Sequence, residues 1–124
     1  MILVDTSVWI DHFRDADTQL VNLLNRTMVL MHPLIVGELA CGNLANKESK
    51  LELLGQLPAA AVAEHDELLR FISARKLFGK GIGLVDAHLL ASIAISGDQL
   101  WTRDKRLRAV SLQPGSGTSF SPIM

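Results

Sequence analysis

The chain has no tyrosine and only one cysteine, Cys41, and each scarcity excludes something. One cysteine cannot close an internal disulfide, so the sequence suits a reducing compartment and a cytoplasmic location is expected. Aromatic residues make up 5% of the chain, which leaves little surface for stacking bases. Trp9 and Trp101 are expected in the core instead. No Cys/His pattern of the kind that holds zinc is present, and the four histidines stand at unrelated spacings. No apolar run approaches the ~18 residues of a membrane span, because charges interrupt every stretch. The opening MILVDTSVWIDHF has no basic leader and meets an acid at position 5, unlike a signal peptide.

A surplus of one charge is missing too. Twelve Lys and Arg face 13 Asp and Glu, for a net charge of -1. That is not the basic footprint of a nucleic-acid binder. If four acids hold a cation, however, nine remain against the 12 bases and the rest of the molecule carries +3. Bulk charge therefore does not decide the question.

What is present points to one globular domain over 1–124. The 124 residues are 48% hydrophobic, with a mean hydropathy of +0.26. Ile2 to Val4 is a short apolar run ending at Asp5, as a buried parallel strand would, and Thr6 or Ser7 can cap a helix through Phe13. Helices are expected over Thr18 to Asn25, from Pro33 to Cys41 with Gly42 as the stop, and over Glu48 to Leu57. Two more are expected over His65 to Phe78 and Leu84 to Ser96, the second deep in the domain. Short strands are expected at Met28 to Met31, Ala60 to Ala63, Leu100 to Thr102 and Val110 to Leu112, with a helix from Asp104 through Leu107 between the last two. The Pro-, Gly- and Ser-rich tail from about 113 is expected to be peripheral. Strands alternating with helices imply an α/β fold, a central parallel sheet covered on both faces. Sites in such sheets lie at the carboxyl ends of strands.

The acids inside apolar stretches carry the chemistry. Asp5 ends the first strand, Glu38 lies in HPLIVGELACG, and Asp86 lies in GLVDAHLLASIAI. A carboxylate removed from water costs several kcal/mol unless paired, hydrogen-bonded or bound to metal. No basic residue stands one helical turn from Asp86. Asp104, like Asp5, follows a strand and opens a helix. Each acid alone also fits a plainer role, as a helix cap or a paired surface charge. Together at one sheet edge they would repel unless a divalent cation held them. Oxygen ligands suit Mg²⁺ or Mn²⁺, and such ions support hydrolysis of a phosphodiester.

VDTSVWID, VGELACG, GLVDAHLLASI and LWTRDKRL, in that order, resemble the four acidic motifs of PIN-domain nucleases. The size and the DTSVWIDHFR opening resemble more narrowly the VapC toxins of bacterial toxin–antitoxin pairs. The resemblance runs from Ile2 to Leu112. It implies a three-layer αβα sandwich, Mg²⁺ or Mn²⁺ on Asp5, Glu38, Asp86 and Asp104, and endonucleolytic cleavage of RNA. It also implies a homodimer and inhibition by a small antitoxin. Thr6 and Thr102, beside two of the acids, match positions that support the site.

Arg103 and Lys105, with Arg106 and Arg108 beyond them, flank Asp104 and are candidates to hold RNA phosphates; a solvated helix face is the plainer alternative. Lys76 and Lys80, with the glycines at 79, 81 and 83, would form a basic loop at the mouth or a simple connector. His88 lies about 200° around a helix from Asp86 and should face elsewhere. Cys41 is expected to be buried. Phe13, Leu20, Leu51 and Leu54 are candidates for dimer or antitoxin contacts. Two other functions stay open: a regulatory domain that binds RNA or protein without hydrolysis, and a phosphotransfer domain with Asp5 as nucleophile. The second lacks an acid two residues after Asp5.

Overall fold

The computed structural model of the chain describes residues 1–113 and 118–119. Four short strands form one parallel sheet: β1 (Ile2–Val4), β2 (Val29–Leu30), β3 (Gln99–Trp101) and β4 (Thr118–Ser119), in the order β2-β1-β3-β4. Ile2, Leu3 and Val4 are all buried, so β1 is covered on both faces, as a strand inside an αβα sandwich must be. The helices are α1 (Thr6–Arg14), α2 (Thr18–Asn25), α3 (Pro33–Cys41), α4 (Lys47–Leu54), α5 (His65–Ala74), α6 (Leu84–Ser96) and α7 (Lys105–Ser111). Leu20, Ile35, Leu39, Leu89, Leu90, Ile93 and Leu107 from these helices pack with the strand residues into the main core. Trp9 and Trp101 are buried in it, and the Trp9 Nε1–H donates to the Val4 carbonyl.

Several helix ends follow their local chemistry. Pro33 sits in the first turn of α3, and the Asp17 carboxylate accepts the Leu20 amide at the start of α2. Gly97 closes α6 with φ +76°. Asp5, rather than Thr6 or Ser7, is the N-cap residue of α1, and its carboxylate makes no capping bond.

Four expectations need correction. Val110 and Leu112 do not form a strand. α7 runs through Ser111 because Leu107, Val110 and Ser111 turn to one buried face at helical spacing. The segment Ala60–Ala63 is not a strand; a single bridge joins Met31 to Ala59, with the Ala60 amide donating to Met31. α5 stops at Ala74 rather than Phe78. Lys76 adopts φ +54° and the Leu77 amide donates back to Ile72, folding Leu77 into the core. The tail is not wholly peripheral, since Thr118–Ser119 pairs with β3; the rest of that expectation lies outside the described residues.

The candidate contact residues Leu20 and Leu54 are buried in the core, while Phe13 and Leu51 are partly buried against it. Leu20 and Leu54 are spent on the chain's own packing. Cys41 is exposed at the end of α3. Large exposed apolar groups lie elsewhere, at Leu53, Phe78, Leu84 and Ile95.

Candidate active site

From β1 the chain passes to β2 on one side, then returns across β1 to β3 on the other. The carboxyl ends of β1 and β3 flank this reversal, where open parallel sheets leave a crevice. Val4 pairs with Trp101, and the Asp5 amide donates to the Trp101 carbonyl at 2.9 Å. The sheet thereby places Asp5 beside the segment Thr102–Asp104.

Asp5 is buried, and two hydroxyls meet the same oxygen of its carboxylate. Ser7 Oγ donates to Oδ2 at 2.8 Å and Thr102 Oγ1 at 2.7 Å. Both hydroxyls also accept backbone amides, Ser7 from Arg103 at 3.0 Å and Thr102 from Asp104 at 3.1 Å. Thr102 thus contacts Asp5 directly. Ser7 makes an equivalent contact that the sequence reading missed; its signal was a second hydroxyl two residues after the acid. Thr6 turns the other way, donating to Glu38 Oε1 at 2.6 Å.

Glu38 and Asp104 are exposed and Asp86 is half-buried. The apolar neighbours of Glu38 in sequence therefore do not bury it. They belong to the adjoining face of α3, where Ile35 and Leu39 enter the core. Asp104 caps α7, its Oδ1 accepting the Arg106 and Leu107 amides at 2.9 and 3.2 Å. Asp86 lies in the first turn of α6, and its Oδ2 accepts the Gly83 amide at 3.2 Å.

The four acids share one electrostatic field. Burial pushes the Asp86 carboxyl above its ordinary range, and the charges of Asp5, Asp104 and Glu38 push it further. The Gly83 amide offsets part of this.

The family model of the PIN domain matches residues 2–112. The chain belongs to the PIN-domain family. Ribonuclease VapC32 of Mycobacterium tuberculosis, in strains CDC 1551 / Oshkosh and H37Rv, is 50% identical over 116 residues, which cover 93% of this chain and 94% of the relative. The crystal structure of PAE2754 from Pyrobaculum aerophilum superposes with a TM-score of 0.61. It covers 95% of this chain and 82% of that one at 19% identity, a likeness of fold.

Around the acids of this PIN domain the basic residues divide. Arg103 is engaged by two carboxylates, Asp11 at 2.7 Å and Asp17 at 2.6 Å, and lies over the Trp101 ring. The hydrogen bond to Asp11, ahead of that to Asp17, holds its guanidinium more firmly protonated. Burial raises the Asp17 carboxyl, but the Leu20 amide and Arg103 outweigh it and leave it below the ordinary range. Arg103 therefore ties α1 and the start of α2 to the β3 end, and its charge is already answered. Lys105 is exposed and, among the described residues, meets no acid. Arg106 lies across Gly81, whose added Cβ would stand 3.1 Å from Arg106 Cδ. A cleft of about 730 Å³ runs past Arg14, Trp101, Arg103, Lys105 and Arg108. Lys80 donates to Gln113, so the glycine loop is docked on the end of α7.

His32 is fully buried and caps α3 through Nδ1, and its ring lies 5.9 Å from that of His88. Burial, with the neighbouring His88, lowers His32 to about 4.

Among the described residues, no three His, Cys, Asp or Glu side chains stand close enough to enclose a metal ion. The donor set is nevertheless all oxygen. Mg²⁺ and similar ions keep several waters and take one or two carboxylates directly, so the residues present fit such an ion, not a cage closed by protein.

Proposed function

We propose that this PIN domain is a metal-dependent endoribonuclease, the toxin of a toxin–antitoxin pair, acting in the cytoplasm as one catalytic unit over 1–124. The observation that carries the reading is the gathering of Asp5 and Asp104 on the Thr102 hydroxyl at the carboxyl ends of β1 and β3, with Glu38 bonded to the adjoining Thr6. The name of the 50%-identical relative, a ribonuclease, supports the choice of RNA.

Asp5, Glu38, Asp86 and Asp104 would hold Mg²⁺ or Mn²⁺, some of them through water. When bound, the ion supplies activation of a water nucleophile and neutralisation of phosphate charge. The protein's own groups do the positioning. Ser7 and Thr102 orient Asp5, Thr6 orients Glu38, and the Gly83 amide orients Asp86. Lys105 is an available cation for an RNA phosphate beside Asp104; Arg103 contributes by holding α1 against the site. A homodimer, or a small antitoxin, would find Phe78, Leu84 and Ile95 exposed for contact.

Mapping the 5′ ends of RNA fragments made by the purified protein tests this. Cleavage is expected with Mg²⁺ or Mn²⁺ and not after chelation, and Asp5→Asn should abolish it while remaining folded. Identical ends from wild type and Asp5→Asn would defeat the reading. The alternative reading is binding of RNA or protein without hydrolysis. Metal-independent RNA binding without cleavage would establish it.

A further inference from the structure

Each of the four acids commits one oxygen within the protein and leaves the other without a donor among the described residues. The committed atoms are Asp5 Oδ2, Glu38 Oε1, Asp86 Oδ2 and Asp104 Oδ1. Asp5 is the most constrained of them, with two hydroxyls on one oxygen of a buried carboxylate. The amides of Arg103 and Asp104 donate into those hydroxyl oxygens, each hydroxyl donates to Asp5 Oδ2, and the two hydroxyl oxygens lie 3.3 Å apart. Two donated hydrogen bonds occupy both lone pairs of Oδ2, so turning it as well as Oδ1 toward one ion would displace at least one of them.

This matters because divalent cations differ in what they ask of a carboxylate. Ca²⁺ takes six to eight oxygens at about 2.3–2.6 Å and readily accepts two from one carboxylate. Mg²⁺ requires a near-octahedral shell at about 2.0–2.1 Å, built from single oxygens and water. We propose that Ser7 and Thr102 are metal-selecting positioning residues, which hold Asp5 to one-oxygen ligation through Oδ1 and so set this centre against Ca²⁺. The proposal rests on the metal-dependent reading above.

Calorimetric titration of Mn²⁺ and of Ca²⁺, separately, into the full chain tests it without reference to activity. Wild type is expected to prefer Mn²⁺. The pair Ser7→Ala with Thr102→Val should lose roughly tenfold or more in Mn²⁺ affinity. Its Ca²⁺ affinity should hold or rise, so the preference narrows by at least the same factor. An equal loss for both ions, or an unchanged preference, overturns the proposal. Circular dichroism reports whether the double variant folds. If it does not, Ser7→Ala alone is read by the same ratio, where a smaller narrowing supports the proposal and none overturns it. Asp5→Asn separates the two levels. If it titrates like wild type, the metal reading fails and takes the proposal with it; if it loses Mn²⁺ while the Ser7 and Thr102 variants keep the wild-type ratio, only the proposal fails.

Discussion

At the scale of single residues, folding shifts the titration of Asp86 and His32 in opposite directions. Burial and three neighbouring acids raise Asp86. A carboxyl raised by folding stabilises the protein below its unfolded pKa, and that contribution is lost as pH rises through the folded value. At neutral pH the metal-free protein thus carries a repulsion that Asp86→Asn removes. Asp86→Asn is expected to raise the melting temperature of the chelated protein, measured by calorimetry, while its RNA cleavage falls by orders of magnitude. His32 is lowered from 6.5 to about 4. It stays neutral in the folded protein while the unfolded chain takes up a proton, so its contribution is complete above pH 6.5 and is lost as pH falls toward 4. Denaturant titrations across that window should show the stability gap between wild type and His32→Asn shrinking with acid; a constant gap would refute the assignment.

At the scale of elements, α7 and α5 show how one residue serves two ends. Asp104 opens α7 by accepting two amides on Oδ1 and leaves Oδ2 turned outward. Cap and charge can be separated by substitution. Asp104→Asn keeps an acceptor and is expected to unfold within a few tenths of a kcal/mol of wild type, whereas Asp104→Ala should lose about 1 kcal/mol. Both should cut RNA poorly, which fluorescence-monitored cleavage alongside urea denaturation would reveal. The misplaced ends of α5 and of the last strand share one cause. Local apolar pattern marks which residues seek the core, but the direction from which they reach it is a tertiary matter. Leu77 and Val110 are both buried in the core. Leu77 enters through a left-handed turn at Lys76, and Val110 enters from a helix.

At the scale of the molecule, the order β2-β1-β3-β4 gathers the site and also leaves β3 dependent on a distant segment. Thr118–Ser119 covers the edge of β3, whose carboxyl end leads to Thr102 and Asp104. Deleting residues after Gln113 uncovers that edge, and exposed edges pair with other chains. The truncated protein is expected to melt at a lower temperature and to self-associate, seen by light scattering; an unchanged melting temperature would show β4 to be dispensable. At this scale the interface expectation fails for Leu20 and Leu54, while Phe13 and Leu51 keep part of their surface. Leu20 and Leu54 were chosen because a small chain rich in apolar residues has limited room to hide them, yet the seven described helices bury both.

The sequence by itself determined the alternation of strands and helices, the parallel sheet and the choice of four candidate acids. Strand length, apolar period and an acid at a strand end are all local properties. Only the tertiary structure decided how those acids are held. It made Glu38 exposed despite its apolar neighbours and committed Arg103 to Asp11 and Asp17. It also brought Ser7 and Thr102, 95 residues apart, onto one oxygen of Asp5. The physical reason is that β1 and β3 are neighbours only through a crossover, and no local pattern encodes which strands a crossover brings together.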